Sequence, residues 1–199
     1  MTSATQQSPA DASTVRYTGV AQALHWIMAL LILFSAGLGL LLDDWPRASK
    51  IFMVNIHAQV GMVVLYLLLA RIWWRRKNTP PELPPEVSEI SRRVSHPAHM
   101  LIYVLMLAVP LVGIVAFVWH ARVLDFGFFS INFGIKSDKA IYERAEDIHL
   151  WLTYGLLALV TGHAIAALWH HFISRDAVLV RMLPAAKSSA GKLAEAKSP

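Results

Sequence analysis

The sequence contains no cysteine. That excludes thiolate metal sites, iron–sulfur clusters, disulfides and the C-x-x-C-H motif that attaches haem covalently. Any cofactor must be held by nitrogen or oxygen, and nine histidines are present to do so. Charge is also scarce. Asp, Glu, Lys and Arg make up 16% of the 199 residues against 56% hydrophobic, with a mean hydropathy of +0.48. Soluble domains carry about 25% charged residues, so this shortage points to a chain built for lipid. No internal repeat is visible. A cleavable signal is not expected either. Residues 1–13 are polar and small, and the first apolar run is too long for a signal core.

What is present is four apolar runs, 20–42, 51–70, 98–119 and 148–173. Each reaches the roughly 20 residues that a helix needs to cross a bilayer. They predict an all-α, integral membrane four-helix bundle over residues 16–184. Disordered tails are expected at 1–15 and at 185–199, where AAKSSAGKLAEAKSP is of low complexity. Pro110 lies inside the third run and is expected to kink it. All seven tryptophans lie near run ends, as in an aromatic belt. The loop NTPPELPPEV is expected to be extended. In the long connection 120–147, SDKAIYERAEDIH reads as a helix with Ser137 as its N-cap, continuing into the fourth run.

A net charge of +5 could suggest nucleic acid, but the placement of the cations fits membrane topology better. With four spans, the termini share a side with the loop between runs two and three. That side holds twelve Lys and Arg; the other holds six, beside seven acids. The positive-inside rule therefore predicts both termini in the cytoplasm.

The histidines carry the functional signal, because an ionisable side chain inside the hydrocarbon is costly and marks a site. His149 and His163 share the fourth run. Fourteen residues apart, they return to within about 40° of one face and lie about 21 Å apart along a helix. His25, in the first run, reaches a depth compatible with His163. His57, in the second, lies at the opposite side with His149. Two bis-imidazole pairs at two depths suit b-type haem, an apolar plate that takes one axial ligand on each face. Zinc would need three or four ligands at one point. A lone membrane histidine also serves as an interhelical hydrogen bonder, and that is the expectation for His96 and His99, although His99 is also a candidate for a quinone or propionate site. His170, on nearly the same face as His163, is the rival ligand but reads as an interfacial residue. His120 and His171 end spans and are expected to be solvated or interfacial.

The residues around these positions resemble the bacterial cytochrome b561 family of dihaem membrane proteins. The likeness rests on LHWIM around His25, VNIHAQVGM around His57, HMLIYVLMLAVPLVG from His99, ERAEDIHLWL around His149 and TGHAIAALWHHFISRDAVLVRMLP from His163. It implies two haem b groups, one on His25 and His163 and one on His57 and His149, in a multi-pass protein of the bacterial inner membrane. Filled axial positions imply an electron carrier rather than an oxygen binder. Arg71 is a candidate counter-ion for a haem propionate. The resemblance further implies an oxidoreductase that takes electrons from superoxide at the periplasmic face and reduces ubiquinone. Arg47, Lys50, Arg122, Lys136 and Lys139 would gather the anion. The alternatives are a cytochrome b subunit serving a soluble dehydrogenase or hydrogenase, and a non-redox membrane scaffold or metal transporter.

Overall fold

The structure, a computed structural model, describes residues 15–184. The expected tails fall outside the described residues, Val15 excepted. Four helices make up nearly all of it: α1 (Gly19–Leu40), α2 (Arg47–Lys77), α3 (Glu89–Trp119) and α4 (Lys139–Trp169). All four are long and apolar enough to cross a membrane. Their order is up and down, with α3 against α4, α1 against α2, and α2 against α3. The end that carries residues 15 and 184 is called here the termini side. The opposite end, which carries a short hairpin, is the hairpin side.

Three of the four helices begin where the chain offers a side-chain cap. The side chains of Thr18, Ser88 and Asp138 accept from the backbone N–H groups of Ala21, Ser91 and Ile141, at 3.3, 3.2 and 3.2 Å. Asp138, and not the expected Ser137, is thus the cap of α4. Arg75, Arg76 and Lys77 close α2, where cations complement the helix dipole. Compared with the apolar runs, α1 stops two residues early, in a turn. The other three extend into polar sequence, because a helix satisfies its backbone internally in water as well as in lipid.

Apolar side chains face outward: Leu30, Ile51 and Trp151 are each about 70% exposed, at 67%, 70% and 73%. A surface of this kind suits acyl chains. The bundle interior is a plug of Met28, Leu68, Met106 and Leu156, one buried residue from each helix. Leu156 stands midway between His149 and His163, so the plug separates two histidine levels.

The termini side is closed by Arg181, 4% exposed, in a 3-10 turn at Val180–Met182. Its guanidinium donates to the carbonyls of Val15 and Glu82, and its own carbonyl accepts from Tyr17 N–H and Gln22 Nε2. One residue thereby ties the N-terminal segment, α1, the α2–α3 loop and the C-terminal segment. Hydrogen bonds from a charged donor are worth about 1.5–3 kcal/mol each. Arg181→Met is accordingly expected to cost about 3 kcal/mol, seen as a lowered thermal unfolding midpoint in detergent.

On the hairpin side, Leu124–Asp125 (β1) pairs antiparallel with Ser130–Ile131 (β2). Gly127, at φ +84°, supplies the left-handed turn. Asp125 N–H donates to Asn55 Oδ1 at 2.8 Å, and Gln59 Nε2 donates to the Asp125 carbonyl at 2.6 Å. The hairpin is thus stapled to α2 on either side of His57.

Candidate functional site

The four expected histidines form two facing pairs. His25 lies six residues from the start of α1, and His163 six residues from the end of α4. Both are therefore about 9 Å inside the termini side, and their ring centres are 6.2 Å apart. His57 and His149 each lie ten residues from the start of their helices, about 15 Å inside the hairpin side. Their ring centres are 5.9 Å apart. Within each pair the ring planes cross steeply, at 71° and 87°.

These separations fit one metal between two rings. An imidazole nitrogen sits about 2 Å from a bound metal and the ring centre about 1 Å behind it, so opposed ligands have centres about 6 Å apart. The hairpin-side rings are also oriented for it. His57 Nδ1 is 3.0 Å from the Ser35 carbonyl, with Ser35 Oγ at 3.3 Å, and His149 Nδ1 is 2.9 Å from the Val109 carbonyl. A carbonyl only accepts, so the proton sits on Nδ1 and Nε2 keeps its lone pair for a ligand. The space between the rings is lined by apolar or small residues, including Ile32, Ala36, Gly61, Val64 and Met106. Among the described residues no three His, Asp or Glu side chains converge on a point, which is the arrangement a zinc site would need.

Arg71 lies beside the termini-side pair. Its Nε donates to the Tyr103 hydroxyl at 2.8 Å and its Nη1 to the Ala21 carbonyl at 3.1 Å, one turn before His25. Together with Arg16, Arg75, Trp74 and Tyr103 it borders an open cleft of about 140 Å³. His99 is 5.1 Å from His163, ring to ring, with Nδ1 on the Ser95 carbonyl at 2.7 Å. His170 is turned elsewhere: it pairs with Asp176 at 2.5 Å in a π-helical turn that follows α4. His120, expected to be solvated, is half-buried with its ring 4.3 Å from Tyr142, and His171 meets the edge of Phe172.

The five cations expected to gather an anion are only partly available. Lys50 pairs with Asp43 at 2.7 Å and Lys139 with Glu143 at 3.5 Å. Burial pushes the Arg122 guanidinium down from its usual range, and nearby Glu146 opposes that shift. Sequence reasoning missed Ser35, Gly39, Val109, Gly113 and Asp176. Where a backbone carbonyl is the partner, residue identity gives no signal.

Fold and site together define a membrane helix bundle whose core presents imidazole pairs at two depths, a class of bundle that holds metal cofactors. Comparison with known proteins makes this specific. The sequence model described as prokaryotic cytochrome b561 matches residues 16–185, and the chain belongs to that family. Similar proteins include cytochrome b561 homolog 2 of Escherichia coli, 27% identical over 88% of this chain and 95% of that protein. The probable superoxide oxidase CybB of Yersinia pestis is 29% identical over 85% of this chain and 96% of its own length. Cytochrome b562 of Cereibacter sphaeroides is 27% identical over 84% and 94%. The family brings b-type haem, membrane electron transfer and a multi-pass place in the bacterial inner membrane.

Proposed function

We propose that the chain is a dihaem electron carrier that oxidises superoxide and reduces ubiquinone. The observation that supports it best is the pair of facing imidazole couples at matched depths. In this reading residues 16–184 form the cytochrome domain. His25 and His163 hold one haem b, and His57 and His149 hold the other. Arg71 neutralises a propionate, and His99 borders the quinone or a propionate. The cation-rich termini side faces the cytoplasm and the hairpin side the periplasm.

Haem, when bound, supplies a one-electron couple whose potential the protein sets. The chain's own work is positional. His25 with His163, and His57 with His149, would each hold one haem iron from both sides and so leave no place for oxygen as a ligand. The Ser35 and Val109 carbonyls fix the tautomer of the hairpin-side ligands. The plug of Met28, Leu68, Met106 and Leu156 keeps water out between the levels. Two superoxide anions would give up one electron each and leave as dioxygen, and ubiquinone would take the two electrons and two protons to become ubiquinol.

The choice of superoxide as donor draws on the likeness to the Yersinia protein of that name. The test uses the purified protein, its haem-to-protein ratio and a reduced-minus-oxidised spectrum. Two low-spin b haems per chain are expected, reduced on adding superoxide and reoxidised by ubiquinone. If superoxide leaves the haems oxidised, the donor is a partner dehydrogenase or hydrogenase. Absence of haem would sink the redox reading altogether.

A further inference from the structure

Both hairpin-side histidines are seated by one repeated device. The Ser35 carbonyl that faces His57 Nδ1 lies one turn before Gly39, and the Val109 carbonyl that faces His149 Nδ1 lies one turn before Gly113. A Cβ built on Gly39 would stand 2.8 Å from His57 Cε1 and 3.2 Å from Nδ1. One built on Gly113 would stand 3.0 Å from both Cε1 and Nδ1 of His149. The imidazole in each case fills the space a side chain would take. Neighbouring glycines do not do this: Gly37 on α1 and Gly61 on α2 have nothing within 4 Å of such a Cβ. Nor is the device general to the four histidines. The rings of His25 and His163 have no backbone carbonyl partner among the described residues.

We propose that Gly39 and Gly113 are positioning residues for the hairpin-side haem. Each leaves a notch, on α1 and on α3, into which the back of one ring sinks. There Nδ1–H reaches the carbonyl while the ring faces the opposite histidine, centre to centre at 5.9 Å. The ring cannot simply swing away from an added methyl, because swinging breaks the bond that sets its tautomer and its basicity as a ligand. At these two positions, unlike at Gly37 and Gly61, a side chain would meet the ring. The inference rests on the assignment of His57 and His149 as ligands.

The experiment compares Gly39→Ala, Gly113→Ala and the control Gly37→Ala in the purified holoprotein, reading haem content and the spectrum and midpoint potential of each haem. Both notch variants are expected to disturb one haem, the one that His57→Ala loses, and to leave the other as in the wild type. Haem affinity at that level should fall about 10- to 100-fold, the range seen when an outer partner of a metal ligand is disturbed. Gly39→Ala should exceed Gly113→Ala, since its clash is closer, and Gly37→Ala should change nothing. Notch variants indistinguishable from the control, or variants that disturb both haems alike, overturn the proposal. If Gly39→Ala does not accumulate, it is tested in a His57→Ala background. With the ring gone the methyl should be tolerated, and a double variant that still fails to accumulate counts against the notch. A His57→Ala protein that keeps both haems would overturn the ligand assignment, and the inference with it.

Discussion

On the proposed ligand assignment, His163→Ala is expected to yield a protein with one haem where the wild type is expected to carry two. The substitution removes one ring from the couple whose centres are 6.2 Å apart. The other couple, about 21 Å along the same helix, shares no partner with it, and sites this distant behave independently. Its rings stay fixed on the Ser35 and Val109 carbonyls. The measured quantity is haem per protein, with the low-spin band of the remaining haem unchanged. Retention of both haems would mean that another imidazole takes the vacated face. His99, with its ring 5.1 Å from that of His163, is the one placed to do so. His170 is not, being held by Asp176. A His99→Ala, His163→Ala double variant separates these outcomes.

On the same assignment, Arg71→Gln is expected to make the termini-side haem harder to reduce. A guanidinium beside the ligands favours ferrous over ferric iron, because the oxidised centre carries one more positive charge. Arg71 is half-buried and is held by two neutral acceptors, the Tyr103 hydroxyl and the Ala21 carbonyl. No carboxylate cancels its charge among the hydrogen-bond partners of the described residues. Glutamine keeps a donor for the same acceptors and loses only the charge. A tenfold change in a one-electron equilibrium is about 60 mV, and a drop of that order is expected in a redox titration. Arg71→Lys should keep most of the wild-type potential. An unchanged potential in Arg71→Gln would show that the charge is screened from the haem. The hairpin-side ligands differ in the opposite sense. Their carbonyl-bonded rings are stronger bases, which favours ferric iron. On the proposed assignment both effects would slope the electron path from the hairpin side to the termini side.

Much of this was legible in the chain. The apolar runs gave the number of helices, and the family resemblance held over the residues the family match covers. Depth counting paired the histidines whose rings the structure brings face to face. It worked better than its own inputs, because α4 gives way to a π-helical turn after Trp169, which places His163 at the same depth as His25. Helix ends were less legible. An apolar run reports hydrocarbon, whereas α2 continues through Arg75–Lys77 and α4 starts in charged sequence at Lys139, where backbone bonding alone sustains the helix. The β1–β2 hairpin has two-residue strands, too short for any alternation to register. Arg181 looked like one more topology-setting cation, since nothing in its neighbours signals the carbonyls it meets. Gly39 and Gly113 were invisible as site residues, because the ring each accommodates belongs to another helix.

The plug of Met28, Leu68, Met106 and Leu156 has an electrical consequence. Its four side chains carry no acid, base or hydroxyl, and the hydroxyl of Tyr103, which packs against them, is engaged by Arg71, so the plug itself offers no relay to hand a proton from one histidine level to the other. Along the proposed path, each electron passing from one haem to the other therefore crosses the low-dielectric layer uncompensated. Turnover would then be electrogenic, coupled to the membrane voltage at about 2.3 kcal/mol for each full charge moved across 100 mV. An inside-negative potential would oppose the inward electron, and dissipating it with an ionophore would speed the reaction in sealed vesicles. The protein would then generate voltage as well as remove an oxidant, and the four buried side chains are what make those two outcomes inseparable.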